Sequence, residues 1–328
     1  MILIFRHTHS ITLLFISLIF FLNIFCDAPR NNPLDPGNPD NNYYLLQGHV
    51  KTLSLPTQPL EGVTVFYTHQ EMQTKTNSSG EFSLEIIEAE DSWLHFSQSG
   101  YLTDSVYVEW KLTKKVTTEQ FLNALPQVES LQVYSVILNR YPSIQTEQVI
   151  VKSKITDRDN DIDSVEVVIG LDSIAKTLQY NVTDKNYERT LSIFDLGIAA
   201  LEELVGHNFR IIVKDIFSHK FKLDTGTIER VIRDEVIFQS PAGNEVTSPS
   251  PTLVWERFRP GFNFKYLIQI FSAEITPQLL WEKNEIGDAI TQYPVDITLP
   301  PDEYFWVIWV IDEFGNRTRS KPASFTVE

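Results

Sequence analysis

From residue 43 onward, apolar and polar positions alternate with a period of two. Val63, Val65 and Tyr67 are interleaved with Thr64, Phe66 and Thr68, and Phe82, Leu84 and Ile86 with Ser83 and Glu85. Successive strand side chains point to opposite faces, so such runs predict antiparallel strands with one buried face. Asn77-Ser78-Ser79-Gly80 and Ser99-Gly100 punctuate them as turns. At ordinary strand length, about seven strands fit between Tyr43 and Trp110. A transition segment over residues 112–127 leads to further strands at 132–138, 149–155, 164–169 and 209–215. One short helix is predicted from Leu196 to Val205, with Asp195 as its N-cap and Gly206 as its stop.

The last alternating run differs from the others. If Tyr304, Trp306, Ile308 and Val310 face a core, then Phe305, Val307, Trp309 and Ile311 line the opposite face. Both rows are apolar, so the outer one needs a cover. A neighbouring domain or a loop could supply it, and so could a partner protein or a flat ligand such as a sugar ring. These four are the candidate binding residues. The whole pattern predicts an all-β chain of three tandem antiparallel β-sandwich domains, at 43–118, 126–233 and 235–328.

The N-terminal segment is of another kind. Arg6, His7 and His9 precede an apolar run from Ile11 to Phe25, and the chain's one cysteine, Cys26, follows directly. At about fifteen residues the run is short for a membrane span and suits a secretory signal, giving a signal segment at 1–26. Residues 27–42 are rich in Pro, Asn and Asp and nearly free of apolar residues, which predicts a disordered tether. A lone cysteine cannot form an internal disulfide, so burial alone must hold the domains.

Composition and charge narrow the function. A 42% hydrophobic content excludes global disorder, and a formal charge of −16 without a basic stripe disfavours a nucleic-acid partner. The densest polar cluster is Asp157-Arg158-Asp159-Asn160-Asp161-Ile162-Asp163. Alternating carboxylates suit Ca²⁺, so Asp157, Asp159, Asp161 and Asp163 are candidate ligands of a structural calcium. An EF-hand loop would require a glycine where Ile162 stands and a glutamate where Val168 stands. A solvated turn held by side-chain hydrogen bonds is the other reading. No other cofactor is implied. Ser173-Ile174-Ala175-Lys176 has the Ser-x-x-Lys spacing of penicillin-binding enzymes but lacks their companion motifs. His49, His69, His95, His207 and His219 are scattered, and neither a His-x-x-Glu pair nor a glycine-rich phosphate loop is present.

Four stretches carry family resemblances. Cys26 after its apolar run, followed by the Asn/Pro/Asp-rich spacer, resembles the start of bacterial surface lipoproteins, in which the cysteine is lipidated after cleavage. Phe25 stands where that pattern has a small residue, and Leu22 lies one place further back than usual. An ordinary signal peptide with an incidental cysteine and an uncleaved anchor are the alternatives, and all three place the domains outside the cytoplasm. Gln47-Gly48-His49-Val50, Pro59-Leu60-Glu61-Gly62-Val63, Gly80-Glu81-Phe82 and Ser99-Gly100-Tyr101 resemble the carboxypeptidase regulatory-like (transthyretin-like) domain, a non-catalytic β-sandwich. Ile155-Thr156-Asp157 and Val213-Lys214-Asp215 loosely resemble bacterial Ig-like modules. Pro251-Thr252-Leu253-Val254-Trp255, Leu299-Pro300-Pro301 and residues 304–312 resemble a fibronectin type III domain, which implies Trp255 and Trp306 in its core.

Together these imply a non-catalytic, lipid-anchored envelope protein, at the outer membrane or cell surface. It would act in adhesion, scaffolding or assembly and bind an envelope protein or polysaccharide. Two alternatives stay open: a substrate-capturing accessory lipoprotein of an outer-membrane uptake or secretion complex, and an enzyme hidden in the second domain.

Overall fold

The computed structural model describes residues 43–170 and 174–328, and its regular secondary structure is almost entirely strand. Two compact units emerge: one comprises residues 43–52 and 57–122 of the described chain, the other Leu53–Pro56 and Asn123–Glu328.

The first unit holds β1 (Tyr44–Thr52), β2 (Thr64–Tyr67), β3 (Met72–Lys75), β4 (Glu81–Ile86), β5 (Ser92–Ser97), β6 (Asp104–Val108) and β7 (Lys115–Leu122). They form two sheets, β4-β1-β7 and β3-β2-β5-β6. The predicted alternation is met in β4, where Phe82, Leu84 and Ile86 are buried and Glu81, Ser83 and Glu85 exposed. Leu46, Val65, Leu94 and Phe96 share that core. Tyr67 is buried there too, and its hydroxyl accepts from Trp110 Nε1 at 3.1 Å and donates to the Glu90 carbonyl. The predicted transition segment contains β7, which pairs in parallel with β1. Gly48 sits in β1 between β4 and β7, where any Cβ would strike the Thr118 carbonyl and the Phe82 ring.

The second unit begins with β8 (Gln127–Arg140), β9 (Ile144–Thr156), β10 (Ile162–Ile169), β11 (Ile174–Asn181), β12 (Asn186–Ser192), β13 (Asn208–Asp215) and β14 (Lys220–Thr227). They enclose a core of Ile137, Val151, Val167, Leu191, Phe209 and Ile211. The single predicted helix is two short turns instead: α1 (Ile193–Leu196) and a 3₁₀ turn (Leu201–Leu204). Ser192 caps α1 one turn earlier than expected, with Asp195 closing the reciprocal box, and Gly197 ends it in the left-handed conformation at φ 68°.

The same unit continues with β15 (Phe238–Ser240), β16 (Glu245–Thr247), β17 (Thr252–Trp255), β18 (Phe264–Ser272), β19 (Leu279–Gly287), β20 (Gln292–Pro294), β21 (Asp302–Asp312), β22 (Arg317–Arg319) and β23 (Ala323–Val327). Trp255 and Trp306 lie in this core, as the fibronectin-type resemblance implies, with ring centroids 6.4 Å apart. The Trp306 Nε1 donates to the Pro241 carbonyl at 2.9 Å.

Pairing is antiparallel throughout except for β1–β7, β16–β23 and β8–β22, which are parallel. The expected antiparallel sandwiches are thus met except at these three seams. β8–β22 has the largest consequence. It splices the two cores of the second unit into one sheet, ordered β14-β13-β10-β11-β12-β9-β8-β22-β21-β18-β19.

Candidate functional site

The outer row of β21 lies in the middle of that shared sheet. Trp309 is aligned with Leu267 of β18 on one side and Arg319 of β22 on the other, and Arg319 is aligned in turn with Leu138 of β8. One position along, Ile311, Arg317 and Val136 form the next cross-strand row. Aligned residues project from one face, so the rows run unbroken across the splice, with Leu138 half-buried and Val136 buried on β8.

The strand's own neighbours supply part of the expected cover. Val307 is 1% exposed and offers no surface to a ligand. Phe305, Trp309 and Ile311 remain half-buried. Phe305 stacks on Phe271, with centroids 5.3 Å apart and planes 13° from parallel. Trp309 Nε1 donates to Gln269 Oε1 at 2.9 Å, and the Arg319 guanidinium stands 5.9 Å from the Trp309 ring. Arg317 lies 4.4 Å over the Tyr134 ring. Burial, and then the neighbouring Arg140 charge, pull the Arg319 guanidinium below its usual value. The hydrophobic pattern drew attention only to the apolar members. Arg317 and Arg319 were findable, because an Arg-x-Arg step places both on one strand face.

Behind this face the splice is held by buried polar groups. The Ser135 backbone N–H donates to Asn316 Oδ1 at 2.9 Å, and Asn316 Nδ2 donates to Asp312 Oδ2 at 3.1 Å. Arg230 Nε approaches Asp312 Oδ2 at 3.3 Å, compensating a carboxylate with no solvent exposure. Asn139 Nδ2 donates to the Arg319 carbonyl at 2.9 Å.

The aspartate loop between β9 and β10 does not form the expected calcium set. Asp163 is drawn outward to Lys214 at 2.8 Å, and Asp159 accepts the N–H groups of Ser54 and Ala124. Asp157 accepts the Asp161 N–H at 3.1 Å, a turn closed by its own side chain. Among the described residues no three His, Cys, Asp or Glu side chains are placed to hold a metal ion. Asp161 is 8% exposed, and its Oδ2 has no hydrogen-bond partner. Burial first, and then the Asp157 carboxyl beside it, push Asp161 up to about 7. In the next layer Asp215 accepts from Asn123 Nδ2 at 2.8 Å and pairs with His219 Nδ1 at 2.7 Å. Burial raises Asp215, but His219 and Asn123 together outweigh it and hold the carboxyl below its ordinary value.

Cys26, the signal segment and the tether lie outside the described residues, as does Ser173 of the Ser-x-x-Lys match.

The strands define an all-β protein of packed sandwiches. Within it, residues 46–134 match the model of the CarboxypepD_reg-like domain family, spanning most of the first unit and the start of β8. No curated relative matches the chain. Among solved structures, the chicken CNTN1 FN1-FN3 domains align at 9% identity over 83% of this chain and 92% of that one, with a TM-score of 0.31. BcpA, the major pilin subunit of Bacillus cereus, aligns at 7% identity over 87% and 98%, with a TM-score of 0.28. SGBP-B of the Bacteroides ovatus mixed-linkage glucan utilization locus aligns at 13% identity over 90% and 69%, with a TM-score of 0.22. Likenesses this slight carry no argument about function.

Proposed function

We propose that this chain is a non-catalytic, exported envelope protein, anchored through a lipid on Cys26, whose sandwiches hold out a surface that binds a polysaccharide or protein of the envelope. The β8–β22 splice carries this reading. A continuous sheet locked by Ser135, Asn316, Asp312 and Arg230 resists bending between two cores, which suits a spacer that must present a surface in fixed orientation. The match of residues 46–134 to the CarboxypepD_reg-like family supports a binding role for the first unit.

The test uses the full chain produced in a bacterial host. Mass spectrometry of the mature N-terminus should find a diacylglyceryl thioether on Cys26, and Cys26→Ser should release the protein from the membrane fraction. Immobilised full chain should retain envelope polysaccharide or a defined envelope protein. Retention of neither overturns the binding role, and an unmodified Cys26 overturns the anchor.

A further inference from the structure

The chain's charge is strongly negative, yet one stretch of the shared sheet is basic. Arg140 lies two residues beyond Leu138 on β8, so strand alternation sets it on the face that bears Arg319 and Trp309. Several basic groups elsewhere in the second unit are matched, among them Lys152 with Glu188, Lys214 with Asp163, Arg233 with Glu147 and Glu202, and Lys321 with Glu235. Among the described residues, Arg140, Arg317 and Arg319 pair with no carboxylate. Arg319 Nε is buried and has no acceptor at all. A partly desolvated guanidinium fork without an anion is costly, and a bidentate carboxylate is its natural complement.

Two further observations select the carrier of that anion. Trp309 puts a flat ring beside Arg319, with the stacked Phe271–Phe305 pair further along the same face, and the apolar face of a pyranose packs on such rings. At the Trp309 row β8, β22 and β21 are each paired on both sides, so an extended peptide cannot join the sheet there as an added strand. We propose that the face of Arg140, Arg317, Arg319 and Trp309 binds a carboxylated polysaccharide, with an acid-sugar ring against Trp309 and its carboxylate held by Arg319 and Arg140. This rests on the binding role proposed above and names its ligand class.

The test is calorimetric titration of the full chain in detergent micelles with three probes: polygalacturonate, neutral dextran and poly-glutamate. Polygalacturonate should bind, more weakly as salt rises, and dextran should not. Arg319→Gln and Trp309→Ser should each weaken polygalacturonate binding about tenfold, the scale of one charge-assisted or stacking contact. Arg140→Gln, at an exposed strand end, should weaken it about threefold and keeps the test available if the half-buried variants misfold. Polygalacturonate binding no tighter than dextran overturns the ligand class, while retention of another envelope component leaves the binding role standing. Equal binding of poly-glutamate, lost in the same variants, overturns the glycan in favour of an acidic peptide. Loss of all retention in the envelope assay as well takes both readings down.

Discussion

Ser135 and Asn316 stand 181 residues apart in sequence, and a hydrogen bond joins them: the Ser135 N–H donates to Asn316 Oδ1 at 2.9 Å, while the Ser135 hydroxyl donates to the Arg230 carbonyl at 2.9 Å. Asn316 in turn holds the buried Asp312 carboxylate, so one amide side chain serves both sides of the splice. Asn316→Leu should leave the Ser135 N–H and part of Asp312 unsatisfied, costing about 3 kcal/mol. Urea unfolding of the second unit, followed by tryptophan fluorescence, measures it. An unchanged midpoint would show that the seam is held by packing alone.

Trp306 has no solvent exposure, packs 4.1 Å from the Phe238 centroid and spends its one donor on Pro241. Trp306→Ala should therefore cost about 4 kcal/mol through the cavity it leaves. Trp309→Ala, on the half-buried opposite face, should cost about 1 kcal/mol. Chemical denaturation of the two variants side by side checks the order, and equal losses would refute the assignment of faces.

Gly48→Ala should destabilise the first unit by about 2 kcal/mol, because the new methyl meets a backbone carbonyl that β7 cannot withdraw without breaking its pairing with β1. Hydrogen exchange should show faster exchange in β1 and β7 and unchanged protection in β21. Full protection of β1 would mean that the strands separate without cost.

Asp161 titrates near 7 in the folded chain against an ordinary 3.8. Between those values the folded state keeps a proton that the unfolded state has lost, so stability declines as the pH rises through this window and levels off above it. Asp161→Asn stays neutral and should remove that decline, gaining about 1 kcal/mol on the alkaline side once solvent screening is allowed for. Melting temperatures of both proteins across the window decide it, and parallel curves would place the titration elsewhere.

Local chemistry made the strands and the sandwich cores legible. Phe82, Leu84 and Ile86 announce a half-buried strand because side-chain direction depends on nothing beyond the backbone. The splice was hidden for the opposite reason: which edge β22 meets depends on residues far away, and Arg317-Thr318-Arg319 contains nothing that names β8 as its partner. The helix over 196–205 was misplaced because Ser192 and Gly197 each terminate it more strongly than the apolar spacing extends it. Of the candidate site, Trp309 and its row were visible as surplus apolar surface, whereas the arginines beside them are meaningful only once Leu138 and Arg319 are side by side. The aspartates looked like metal ligands by spacing, and backbone amides plus Lys214 have taken up much of their capacity instead.

The parallel seam also imposes an order of events on a chain made from its N-terminus. β8 and β9 form a long hairpin as soon as residue 156 is available, but the other edge of β8 waits for Arg317–Arg319. Throughout that interval the β8 backbone at Val136, Ile137 and Leu138 lacks its partner and is open to any passing chain. Closure late in the sequence therefore acts as a checkpoint: a product truncated before residue 317 keeps an adhesive margin, while the finished one hides it.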